Sequence, residues 1–139
     1  MRSLIRLAAF VAPLLILTPL YAQEVKPSGT ACDSHRIGAR ELADCLKAAA
    51  DKSEHDLASQ VEICVKWIET RVGLMSAQKS RWKRSLNEAE AQWLTWRDSE
   101  CQDVAPFEAG MGAKGGDPRL ACMIDANAKR IADLKARYQ

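Results

Sequence analysis

An all-α fold is expected for this 139-residue chain, and three observations predict it. Apolar residues recur at steps of three and four through three long segments, as on helices that bury one stripe. Proline and glycine cluster at the borders of these segments, and no run alternates as a strand would. Four of five cysteines flank a short helical segment and a glycine-rich loop in two pairs, which would staple a small core. The expected architecture is a small disulfide-stapled helical bundle of three main helices plus a short N-terminal helix.

The first segment reads as an address. Arg2 and Arg6 precede an apolar run over 7–20, and Leu20-Tyr21-Ala22 ends it with a small residue. This is the layout of a cleavable secretory signal peptide, residues 1–22, and the run is too short to span a bilayer comfortably. No cysteine follows the cut after Ala22, so a lipoprotein route is not indicated. The exported form would be soluble, periplasmic or secreted, with no membrane span. Removing Arg2 and Arg6 from the 20 basic residues leaves them equal in number to the 18 acidic ones. The net-charge case for binding DNA, RNA or lipid lapses with them. The remaining chain is enough for one domain and too little for two.

Residues 23–31 hold Pro27, Ser28 and Gly29 without periodicity and read as a flexible N-terminal arm, with the helical domain proper at 32–139. Leu42, Cys45, Leu46 and Ala49 give a short helix over 39–50. Ser53 fits either the cap of a new helix or the inside of a continuous one, and of the two a break around 51–53 is expected. Leu57, Val61, Cys64, Ile68, Val72 and Met75 then form one stripe, widened by Trp67. A polar connection at 76–80 favours antiparallel pairing with the third helix. That helix, over 80–101, carries Trp82, Leu86, Ala89, Trp93 and Trp96 on one expected core stripe, and Lys83, Arg84, Asn87, Glu88, Thr95 and Asp98 opposite. Pro106 and the glycines at 110, 112, 115 and 116 argue against a regular element over 104–116. Asp117-Pro118 reads as a cap and first turn, and Leu120, Ile124, Ala128, Ile131, Leu134 and Tyr138 stripe the last helix.

The cysteine positions pair Cys32 with Cys45 and Cys101 with Cys122, and leave Cys64 as a buried free thiol on an apolar stripe. Cys32-x-x-His35 with Cys45 and His55 does not have the spacing of a common zinc module, so no metal site is expected. The glycine loop follows a helix, and its Lys114 is not followed by Ser or Thr, so it fits neither a dinucleotide fingerprint nor a P-loop. No cofactor is expected. No nucleophile, base and orienting residue recur in a recognisable order, and the chain reads as a binding protein, not an enzyme.

Trp93-x-x-x-Arg97-Asp98-x-x-Cys101, the pair Gly115-Gly116, then Cys122, Arg130 and Leu134, together with Cys32, Cys45 and Leu57, resemble the LprI-like family of exported lysozyme inhibitors. The resemblance covers about residues 32–136. The chain departs from the family pattern at Ala58, Val61, Glu90 and Asn127, and Cys64 is an addition. The resemblance implies inhibition of a lysozyme-type muramidase by protein–protein contact. It does not supply the inhibitory residues. Those are sought in the disulfide-tied segment 102–116, whose distinctive side chains are Phe107, Glu108 and Lys114. Arg97 is expected to be structural, laid on Trp93 and reaching a carboxylate of a neighbouring helix. The alternatives are an envelope immunity or stress protein neutralising another secreted toxin or binding a different periplasmic partner, and a thiol-active protein working through Cys64.

Overall fold

The computed structural model describes residues 25–111 and 115–139, so the expected signal peptide and Lys114 lie outside the described residues. Among the described residues five α-helices occur in order: α1 (Pro27–Ala31), α2 (Ala39–Thr70), α3 (Ser76–Ser99), α4 (Ala105–Ala109) and α5 (Pro118–Arg137). A π-helical turn, Glu100–Val104, joins α3 to α4. No strand occurs among the described residues, and the fold class is all-α. The three long helices α2, α3 and α5 make the bundle, with α5 laid along α2.

Three local expectations are corrected. The break at 51–53 is absent, because α2 runs unbroken for 32 residues. Ser53 does not cap a new helix; its hydroxyl donates to the Ala50 carbonyl at 2.8 Å and accepts from Asn127 of α5 at 2.9 Å. The side chain is thus occupied inside a continuous helix and at its packing face. The arm at 23–31 is helical over Pro27–Ala31. Both the backbone N–H and the hydroxyl of Ser28 donate to the Asp125 carboxylate, at 2.8 and 3.1 Å, which fastens α1 to α5. The segment 104–116, read as irregular, contains α4, since Pro106 stands in a first helical turn where its missing N–H is no loss.

The core has two apolar halves with a polar layer between them. Cys32, Leu42, Leu46, Ala50 and Ile124 form one half, and Leu57, Cys64, Ile68, Leu86 and Leu134 the other. Along α2 the interruption falls at Ser53 and Glu54, and along α5 at Asn127, which is fully buried. The α2 stripe therefore begins earlier than its sequence period indicates and ends at Ile68, leaving Val72 and Met75 in water. Cys32–Cys45 ties the segment after α1 to α2, with Cα atoms 5.9 Å apart, and Cys101–Cys122 ties the π turn to α5 at 5.4 Å.

Gly116 shows why a glycine stands two residues before α5. Its φ is +82°, and a Cβ there would lie 2.6 Å from Leu46 Cδ1 and 3.2 Å from Leu42. Both the left-handed backbone and the contact with the core exclude a side chain. Gly116→Ala is expected to destabilise by about 1–3 kcal/mol, read as a lowered urea midpoint with an unchanged m-value.

Candidate functional site

The tryptophan helix does not bury the face its aromatics mark. Among the five expected core residues Leu86 alone is buried; Trp93 is half-buried, Trp82 is at the edge of exposure, Ala89 is exposed and Trp96 is 55% exposed. The face that turns inward is Leu86, Glu90, Trp93, Leu94, Arg97 and Cys101, shifted by about one position. Two of these are charged, and their pairing sets the shift.

Arg97 is 4% exposed and spends every direction of its guanidinium. One Nη lies 2.6 Å from Glu54 of α2 and donates to Asn127 Oδ1 of α5 at 2.7 Å, while Nε and the other Nη reach Asp98 at 3.0 and 2.6 Å. A single side chain of α3 thereby joins all three long helices. Glu90 is buried against Arg130 of α5, which addresses it with two N–H groups in the fork geometry that suits a carboxylate. Both guanidinium carbons sit within cation–π range of Trp93, at 5.7 Å for Arg97 and 5.5 Å for Arg130. Trp93, Arg97 and Arg130 thus gather in one place between the helices, with the exposed Asp98 at its rim.

The same ties fix what protrudes. Immediately after Arg97 the chain widens into the π turn, and Cys101, fully buried, bonds to Cys122. A π turn adds a residue per turn and re-aims the chain. It delivers α4 beside the start of α5, with Phe107 86% exposed and Met111 fully exposed. Glu108 faces an open groove of about 1000 Å³, bounded by α1, α4, α5 and the end of α3 and lined also by Trp96, Pro118, Ala121 and Lys129. Phe107 and Glu108 are therefore neighbours at one end of the bundle, away from the buried charges.

Cys64 is the reverse case, a reactive side chain type kept from any surface. It is wholly buried in the second core half, with Gln60 Nε2 3.7 Å from its sulfur. Burial pushes its thiol pKa up. The contribution to stability is complete below the ordinary thiol range and is lost as the pH rises through the raised value, so alkaline pH should destabilise the wild type more than Cys64→Ala. A thiol reagent is expected to find no reactive group in the native protein at neutral pH and one after unfolding without reductant; a rapid native reaction would show an accessible thiol.

A family model described as "Lysozyme inhibitor LprI" matches residues 32–134. The chain belongs to the LprI family. The match contains both disulfides, the whole of the paired-charge cluster and the α4 segment, while α1 precedes it. Neither a curated protein nor a solved structure matches the chain. Membership implies lysozyme inhibition by contact with a protein, and no helix among the described residues is long and apolar enough to cross a membrane. Sequence reasoning missed Glu54, Glu90 and Asn127. Their signal was present in the helical spacing of Leu86, Glu90, Arg97 and Cys101, and in Asn127 between Ile124 and Ile131, but it requires admitting polar residues to a core stripe.

Proposed function

We propose that this protein is exported and inhibits a lysozyme-type muramidase by presenting α4 and the adjoining groove to the enzyme. Family membership supports the target. Phe107 carries the choice of surface: a large aromatic ring left in water on a short helix whose base is held by a disulfide. Such a ring is an anchor of the type in which interface energy concentrates, and a pre-held helix loses little entropy on docking. A glycosidase of this class works with two carboxyl groups in a sugar cleft, and an inhibitor need only fill that cleft or cover those groups. Glu108 beside Phe107 gives the knob a charge that lysine or arginine at a cleft rim can pair. The paired residues Trp93, Arg97, Asp98 and Arg130 serve this function by holding the knob in place. Inhibition of this kind needs no catalytic group and no cofactor.

The test is muramidase activity on a cell-wall substrate with rising amounts of residues 23–139. Saturable inhibition of at least one lysozyme class at micromolar concentration is the expected result. Absence of inhibition against several classes would overturn the reading and favour an envelope immunity or stress protein with another target.

A further inference from the structure

The opposite end of the bundle carries a second exposed surface with its own chemistry. Residues 71–75 turn α2 into α3, with Gly73 at φ +84° making the reversal. Val72 is 98% exposed and Met75 69% exposed at its tip. Trp82, one turn and a half into α3, packs edge-on against Trp67 of α2 with ring centroids 5.8 Å apart, while part of its surface remains open. This places the two helix ends at one level.

The helical turns flanking this reversal carry Lys66, Arg71, Lys79, Arg81, Lys83 and Arg84, and across residues 66–87 the only acidic side chain is Glu69. Lys83 pairs with Glu69 and Lys79 donates to its backbone carbonyl at 2.6 Å, so that one carboxylate is already engaged. Arg71 lies on the Trp67 ring, 4.3 Å from its centroid, which holds its charge beside Val72. Arg81 and Arg84 are exposed and make no ion pair among the described residues. The balance of charge over residues 23–139 therefore conceals a strong polarity: the tip is basic and the remainder of the domain is acidic.

We propose that the α2–α3 tip is a docking site for an anionic phospholipid surface. Val72 and Met75 enter the boundary between headgroups and acyl chains, Trp82 lies at headgroup depth, and the basic collar meets lipid phosphates. Two independent features select this occupant. A soluble polyanion rewards the basic collar but offers nothing to a valine and a methionine held in water. An apolar protein groove rewards those side chains but not the collar. An anionic bilayer answers both, because apolar insertion and attraction of lysine and arginine add at its interface. Tryptophan is the aromatic residue suited to that depth. The site lies at the far end from α4, so docking leaves Phe107 clear of the lipid.

Co-sedimentation of residues 23–139 with phosphatidylcholine vesicles, with and without phosphatidylglycerol, tests this. Binding is expected on the anionic vesicles only and should fall by about ten-fold or more at high salt, where charge attraction is screened. Val72→Ser/Met75→Ser and Arg81→Glu/Arg84→Glu are each expected to lower vesicle binding by about ten-fold or more. All four positions are exposed, and thermal unfolding of each variant checks that the fold is kept; Val72→Ser alone serves if a double variant unfolds. Lack of binding to anionic vesicles, or binding unchanged by both folded variants, overturns the proposal. Equal binding to inorganic polyphosphate that is indifferent to Val72 and Met75 also overturns it, in favour of a soluble polyanion.

Discussion

Replacing Arg130 with alanine is expected to destabilise the domain by about 3–5 kcal/mol, because it strands Glu90 as a buried charge without a partner. Glu90 is more buried than Arg130, and the pair lies beside Trp93 and against the second half of the core. A domain of this size has about 5–15 kcal/mol of stability in all, so the loss is a large fraction of it and should lower Tm by roughly 10 °C or more. The pair itself is not the source of that stability. Glu90→Leu/Arg130→Met, which removes both charges and keeps the volume, should lie much closer to the wild type than either single change. Urea unfolding of the wild type, Glu90→Leu, Arg130→Met and the double variant gives the coupling directly. A loss below about 1 kcal/mol for Arg130→Ala would mean that Glu90 reaches water in solution.

The second large effect is expected from opening the disulfide at the base of α4. Cys101 and Cys122 are 21 residues apart, and closing a loop of that size stabilises by about 3 kcal/mol in the chain-entropy account. Cys101→Ala/Cys122→Ala should lose roughly that much in urea while keeping its helical circular dichroism below the transition. The functional loss should be larger than the structural one. Without the bridge the π turn no longer holds α4 beside α5, and inhibition should weaken by about ten-fold or more as the knob must be ordered on binding. Cys32→Ala/Cys45→Ala, at the other bridge, should destabilise without that effect on inhibition. Equal inhibition by both variants would remove α4 from the interface.

The long helices and the all-α class are legible in the sequence because apolar spacing reports burial directly. The stripe of α5 survives almost intact, from Leu120 through Ile124 to Leu134. Legibility fails where polar residues do the packing. Glu90 and Arg97 turn α3 by a fraction of a turn from the face its tryptophans mark, and a spacing rule that counts only apolar residues cannot see it. Ser53 is equally a capping residue or an inward hydroxyl until its partner Asn127, 74 positions away, is in place. The α4 helix is hidden for another reason: its five residues are too few to show a period, and a bridge 21 positions long holds them. At the candidate site, Phe107 and Glu108 were readable as residue types in a tied segment. Their position on a helix beside a groove depends on the π turn, which has no sequence signature of its own.

The most direct test of the contact mechanism compares wild-type protein with Phe107→Ala/Glu108→Ala in a muramidase titration at low and high salt. Both positions are exposed on α4, and the double variant should unfold at the wild-type temperature. Its inhibition should be weaker by about 100-fold or more, since two anchor truncations of about 2 kcal/mol each act at one interface. Raising the salt should weaken wild-type inhibition modestly, because residues 23–139 balance in total charge but carry an acidic excess outside the α2–α3 tip, which a basic partner meets at long range. Inhibition by the double variant at wild-type strength would contradict the account and move the interface away from α4.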